Sequence, residues 1–394
     1  MKAFIDYSQP DTTFWTAYDQ LWAASKYMPA FESPSLLRYF SSLSADAVAV
    51  YKSYREDGQL IGAAFFHRKK NVYAFLSDYK TDYSCFVLHQ DCTDAEIREF
   101  FETFHQEVKK ENWSLVLNNN PMWVSYMDTF ARTGKKSSLF WFSAQSSVCP
   151  RLEEKCPESL RQNLLQSRNN RYKRKRLQRE HQTEFEVLEG DTDLAGWGSD
   201  FCQTHVIRWQ DTLTPSKYQS EQERNFLLGC LQAWVADNRL VRFALKANGV
   251  RIAFVIGLRQ KNSLIYHSLT YHPEFHKYSP GKVLILYLGE WMHEQHLNVL
   301  DFGDGNEPYK YNFANIERKL HAIFISKKQN FVFILKAKLI AAVRSNPALI
   351  QFYREKLRPR LKMAVSRMPK VQLRKLFLFH LSMLEIDYAS LFLI

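Results

Sequence analysis

Six cysteines are spread over 394 residues, with no Cys-x-x-Cys pair. Cys85, Cys92, Cys149, Cys156, Cys202 and Cys230 therefore read as reduced structural thiols rather than as a metal site. No Walker loop, GxGxxG, His-Glu-x-x-His or Ser-His-Asp arrangement occurs, so neither a metal nor a nicotinamide cofactor is expected. Long hydrophobic runs are also missing. No stretch of about 18 uncharged apolar residues is present, and the opening MKAFIDYSQPDTTFW lacks the apolar core of a signal peptide. The expectation is a cytoplasmic protein without a membrane span.

What is present suffices for two or three packed domains, since 46% of the residues are hydrophobic and 15% aromatic. The formal charge of +12 is regional. Residues 161–181 hold eight Lys or Arg against one Glu, and residues 331–394 hold twelve against three acids, which leaves the remaining body mildly acidic.

Two segments follow one plan. In the first, strands over 47–54 and 59–66 flank Asp57-Gly58, a third strand runs over 71–76, and a helix over 94–111 leads to a strand over 113–117. In the second, strands over 240–246 and 250–258 flank Asn248-Gly249, followed by a strand at 264–270, a helix at 282–295 and a strand at 299–302. The repeat argues for a tandem duplication giving mixed sheets with helices on their faces. Residues 143–157, with Ser146-Ser147, Pro150 and Pro157, read as the connection between the copies. Expected boundaries are 1–148, 149–328 and a basic helical extension over 329–394, broken near Pro347, Pro359 and Pro369.

The stretch 271–313, YHPEFHKYSPGKVLILYLGEWMHEQHLNVLDFGDGNEPYKYNF, looks built around a ligand. A strand, a Pro-Gly turn and a helix suit an anion such as a pyrophosphate, because a helix N-terminus carries unpaired N–H donors and about half a positive charge. Tyr278, Ser279, Gly281 and Lys282 are the donor-binding candidates. In the irregular segment 301–311, carboxylates, phenols and an ammonium lie close together, and Gly303 and Gly305 permit sharp turns. Transfer of a group to an amine or hydroxyl needs a base for the acceptor and a proton donor for the leaving group. Glu307 is the first candidate base, and Tyr309 or Tyr311 the acid. Asp304 and Lys310 are candidates for the substrate, although Lys310 has Glu307 within reach as a partner. On a helix near 201–209, His205, Arg208 and Trp209 share one side, which makes His205 a second candidate base and Arg208 and Trp209 substrate contacts.

These residues carry a resemblance. The 271–313 unit resembles the acyl-CoA pocket of the GNAT acyltransferases, and DFGDGNEPYKY at 301–311 is similar to the version in the bacterial acetyltransferase-like family associated with cellulose and other exopolysaccharide biosynthesis. An Arg-rich helix over 159–181, the Phe201, His205, Arg208, Trp209 cluster and the Asn248-Gly249 hairpin follow that family's order over about residues 156–325. The cofactor turn departs from the usual Arg/Gln-x-x-Gly-x-Gly/Ala, reading Lys277-Tyr-Ser-Pro-Gly281-Lys-Val with one of the two glycines. The resemblance implies tandem GNAT-like domains, acyl-CoA (acetyl-CoA) as donor, and a glycan or cell-envelope precursor as acceptor.

In plan, though not in motif, the chain also resembles the peptidoglycan peptide-bridge transferases, which implies aminoacyl-tRNA as an alternative donor. The basic helix would then meet RNA phosphates, although Tyr172 is its one aromatic and nucleic acid is the less expected partner. A third reading is a membrane-associated scaffold without chemistry, since the aromatic, basic C-terminal block suits peripheral contact with the inner face of a membrane.

Overall fold

The computed structural model describes residues 1–44, 48–77, 81–210, 212 and 215–344. The first half of the chain forms β1 (Lys2–Asp6), α1 (Thr12–Ala23), α2 (Pro34–Leu43), β2 (Ala49–Tyr54), β3 (Leu60–Lys69), β4 (Val72–Phe75), β5 (Val87–Leu88), α3 (Asp94–Lys110), β6 (Leu115–Pro121), α4 (Met127–Lys136) and β7 (Leu139–Glu153). The second half forms α5 (Pro157–Leu165), α6 (Arg168–Glu180), β8 (Thr183–Glu189), α7 (Leu194–Trp209), α8 (Glu221–Ala236), β9 (Leu240–Ala247), β10 (Val250–Gln260), β11 (Ser263–Tyr271), α9 (Pro280–Glu294), β12 (Val299–Asp301), β13 (Ile316–Lys327) and α10 (Phe331–Arg344).

Both hairpins fall where the turn chemistry places them: Gly58, Asn248 and Gly249 have φ of +86°, +51° and +81°, the left-handed conformation that tight turns require. The expected fold class, a mixed α/β arrangement with helices flanking sheet, is the one found. The sheets are not separate, however. Among the described residues one sheet runs β1-β2-β3-β4-β6-β13-β7-β12-β11-β10-β9-β8, with β5 paired to β3.

The seam of that sheet is an exchange. β7, from the first half of the chain, pairs with β12 through Val299↔Glu153 and Asp301↔Arg151, while β13, from the second half, pairs with β6 through Phe324↔Val116. β7 and β13 then pair with each other along Ile316↔Arg151 to Lys327↔Leu139. Each half thus receives its sixth strand from the other. Of residues 143–157, all up to Glu153 belong to β7 and Pro157 starts α5, which leaves 154–156 between them, and the 148/149 boundary falls inside β7. The basic segment 159–181 is likewise two helices, because Ser167 caps a new start by accepting from the Asn170 N–H.

One face of the sheet carries α1, α2, α7 and α8 in a single core, with Phe14, Trp22, Phe31 and Leu37 joining Trp197, Phe201, Leu231 and Trp234. On the opposite face α3 and α4 cover the first half through Phe100, Phe101, Phe104 and Phe130. There α5, α6 and α9 cover the second through Leu160, Leu177, Val283 and Leu288. Each fully buried Leu or Phe contributes about 2 kcal/mol by leaving water, so the shared core binds the halves together. Among the described residues no helix is long and apolar enough to cross a membrane. Of the expected C-terminal extension, α10 is described; Pro347, Pro359 and Pro369 lie outside the described residues.

Candidate active site

β11 and β12 are parallel and pair over only three residues, Ser263↔Val299 to Ile265↔Asp301. β11 then continues to Tyr271 while the chain beyond β12 turns toward β7, where Phe302 N–H donates to Pro150 O and Gly305 N–H to Val148 O. The two strands therefore splay into a wedge. Gly303 (φ +67°) and Gly305 (φ +109°) make that turn, and a Cβ on Gly303 would lie 2.9 Å from the Asp82 carboxylate. Only glycine meets both conditions.

The first half of the chain supplies one wall of the wedge. Asp82 accepts from Asp304 N–H at 3.2 Å and contacts His267 Nδ1 at 2.9 Å. Asn119, held at φ +51°, donates to Asp304 Oδ2 at 3.2 Å and to Asp82 O at 3.2 Å, and Ser147 donates to the other oxygen of Asp304. His267 is wedged between Phe31 and Trp234, ring to ring at 5.3 and 5.4 Å. Below this group, Asp301 is buried against Arg151 at 2.6 Å, and Arg151 lies 4.1 Å over the Trp123 ring. Burial raises the Asp301 carboxyl although Arg151 pulls the other way.

Asp304 has the electrostatics of a base that works near neutrality. Burial pushes its carboxyl up to about 6; the Ser147 hydroxyl opposes that and the Asp82 carboxylate adds to it. Tyr309, mostly buried, is held protonated by burial and by Glu307, and it lies within the field of Arg208 and Asp82. The Tyr266 hydroxyl is buried with no hydrogen-bond partner among the described residues, and its phenol is likewise raised by burial and by Tyr309. Arg208 borders the same space: it donates to Leu269 O at 3.3 Å and lies 4.0 Å over the Tyr271 ring.

Other candidates fall elsewhere. Glu307 is more than half exposed at the rim, 2.8 Å from Lys310 Nζ. Lys310 itself is buried, and its ammonium donates to Asp304 O at 2.6 Å and Gly305 O at 3.3 Å, so it staples the glycine turn instead of facing a substrate. Tyr311 is exposed and bonded to Glu317. His205 meets Ser216 Oγ at 2.8 Å, with Trp209 and Tyr218 against its ring, and so sits on the 216–218 turn.

At its outer end β11 leads to α9. Ser279 is in the left-handed conformation (φ +50°), Pro280 is the first helical residue, no side chain caps the start and no acid lies in the first turn. Gly281 is where β11 comes close, since a Cβ there would be 3.0 Å from the Leu269 side chain. Lys173 of α6 reaches across to Ser279 Oγ at 2.6 Å, placing an ammonium at the positive pole of α9. Tyr278 is buried, and its hydroxyl bonds Glu180 and lies 3.2 Å from His181 Nε2, which anchors the turn to α6. Lys282 is half-buried in the first turn. Of the four donor-binding candidates, Ser279, Gly281 and Lys282 line the helix start and Tyr278 holds it in place.

Asp82, Asn119, Ser147 and His267 were not among the sequence candidates. The one local signal was chemical type, with three consecutive asparagines ending β6 where acids end β12. Among the described residues no group of His, Cys, Asp and Glu is placed to hold a metal.

Comparisons with known proteins bear on the fold. Residues 166–311, from the start of α6 to the glycine turn, match the acetyltransferase (GNAT) domain family. No curated protein sequence matches. Among solved structures, FemX superposes with a TM-score of 0.58 at 10% identity, over 85% of this chain and 99% of its own. A conserved protein of unknown function from Bacteroides thetaiotaomicron gives 0.55 at 11%, over 82% and 99%. L-PGS from Bacillus licheniformis gives 0.51 at 13%, over 86% and 99%. At such identities the likeness is one of fold, and the chain has a GNAT-like fold built from two joined halves.

Proposed function

We propose that the second half binds an acyl-CoA, acetyl-CoA being the simplest, and transfers its acyl group to an amine or hydroxyl of a glycan or cell-envelope precursor. The observation that carries this reading is the wedge between β11 and β12, with an uncapped helix start and Lys173 at one end and Asp304 at the other. The phosphates of the donor fit the α9 start, and the acyl arm fits the β11 edge beyond Ile265. Asp304, ionised above pH 6, accepts the proton of the acceptor as its nitrogen or oxygen attacks the thioester carbonyl. When the C–S bond breaks, the thiolate takes a proton from Tyr309, which stays protonated at neutral pH. Glu307, at the rim, passes the role of base to Asp304 in this reading.

Calorimetric titration with acetyl-CoA, longer acyl-CoAs and free CoA tests it. Saturable binding that is weakened by Gly281→Val supports the donor site; no binding by folded protein removes it. A second reading, aminoacyl transfer from tRNA, is favoured by one observation: Arg168, Arg171, Lys175 and Arg179 of α6 are exposed beside the α9 start. Retention of tRNA that falls steeply with salt, without acyl-CoA binding, would favour it.

A further inference from the structure

We propose that α10 is a docking face for an anionic lipid surface. The helix crosses β7 and β13, and its inner face is satisfied: Phe333 and Ala337 are buried against Ala322 and Phe324. Its outer face is also apolar. Phe331, Val332, Leu335 and Leu339 are 75%, 63%, 71% and 48% exposed. At about 100° per residue these four positions fall within an arc of about 100°. In that register Lys338 borders the arc on one side and Lys336 on the other, and α10 contains no acidic residue.

A surface helix that is apolar on both faces requires a second apolar phase for the outer one. The flanking charge selects which phase. Lysines at both borders of an apolar stripe sink their methylenes with the stripe and keep their ammoniums at the level of lipid phosphates. Lys327 and Lys328 precede the helix, and residues 331–394 carry twelve basic residues against three acidic ones, so the whole segment favours an anionic surface. A second copy of this chain would bring the same lysine borders together, and a nucleic acid offers nothing to cover four exposed aliphatic and aromatic side chains. The inference is independent of what the wedge catalyses.

The test is co-sedimentation of the full chain with phosphatidylcholine vesicles, with and without phosphatidylglycerol. Binding is expected only to the phosphatidylglycerol vesicles and to weaken with salt. Leu335→Glu/Leu339→Glu and, separately, Lys336→Glu/Lys338→Glu should each lower the partition about tenfold or more, with the melting temperature of the leucine variant unchanged because both leucines are exposed. The proposal is overturned if the wild type does not sediment with phosphatidylglycerol, or if either variant binds as it does, which would move the contact away from this stripe. It is also overturned if the wild type forms a concentration-dependent dimer that Leu335→Glu/Leu339→Glu dissolves, since a second copy is then the occupant.

Discussion

Helix α3 in the first half starts on a capping box: Thr93 Oγ1 accepts from Glu96 N–H at 3.2 Å, and Glu96 accepts from Thr93 N–H at 2.8 Å. Asp94 and Glu96 fill its first turn with carboxylates, and Arg55, 2.6 Å away, holds the Glu96 carboxyl down at about 2. Helix α9, at the same place in the second half, starts on Ser279-Pro280-Gly281 with no side-chain cap, no acid and Lys173 opposite. The first helix neutralises its own positive pole, and the second has neither a side-chain cap nor an acid there. The strand ends differ in the same sense, with Asn118, Asn119 and Asn120 closing β6 and Asp301 and Asp304 at and just beyond the end of β12. Two copies of one layout have thus parted at the ends of these elements. The first copy now serves as a wall: its Asn119 and Asp82 hold the second copy's carboxylate in place.

The sharpest way to break this comparison is to give the second strand end the chemistry of the first. Asp304→Asn keeps the shape and should lower turnover by about 10²–10⁴-fold while donor affinity, read by calorimetry, stays the same. The wild-type kcat/KM should climb with pH through about 6 and lose that limb in the variant. Glu307→Gln, at the exposed rim, should stay within about threefold of wild type. Equal activity in Asp304→Asn would end the role assigned to the wedge.

The first half has its own buried acid, and its use is different. Glu32 is fully enclosed, accepts from Cys85 N–H at 2.9 Å, and burial pushes its carboxyl up to about 8. Folding therefore favours the neutral form. The stabilisation is complete below the ordinary carboxylate range and is lost as pH rises from there through about 8, amounting to about 5 kcal/mol. In urea titrations between pH 5 and 9, Glu32→Gln should flatten that decline; an unchanged slope would assign it to other groups.

Smaller effects distinguish the helix starts themselves. Lys282→Glu copies the acidic first turn of α3 onto α9 and should weaken donor binding about fivefold. Thr93→Ala should cost about 1 kcal/mol of stability and leave donor affinity untouched, since the α3 start is closed to anions. Weaker acyl-CoA binding in Thr93→Ala would show that both halves bind it.

The local parts of this architecture were legible in the sequence. Asp57-Gly58 and Asn248-Gly249 mark hairpins because few other pairs tolerate those backbone angles, and the apolar spacing after Pro280 marks α9. β7 was not legible. Its centre, Ser143-Ala-Gln-Ser-Ser147, carries no hydrophobic alternation, and Pro150 reads as a break. It is a strand because β12 and β13 lie on either side of it, and neither neighbour is visible from the local pattern. The surroundings of the candidate site were hidden in the same way. Asp304 was a candidate, but its partners Asn119 and Ser147 are 185 and 157 residues away in sequence, so a base was sought among its neighbours and found in Glu307. Burial, which leaves Glu307 at the rim and raises the Asp304 carboxyl, comes from those distant partners and not from the local pattern.

The exchange of β7 and β13 also sets a timetable for synthesis. Asn120 on β6 meets the carbonyl of His321 on β13 across 201 residues of chain. At about 5–20 residues per second, a ribosome takes on the order of 10–40 s to deliver that partner. Throughout that interval the nascent first half holds an incomplete sheet whose apolar strand is available to any passing chain. Slowing translation after β6 lengthens the time that this edge waits for β13.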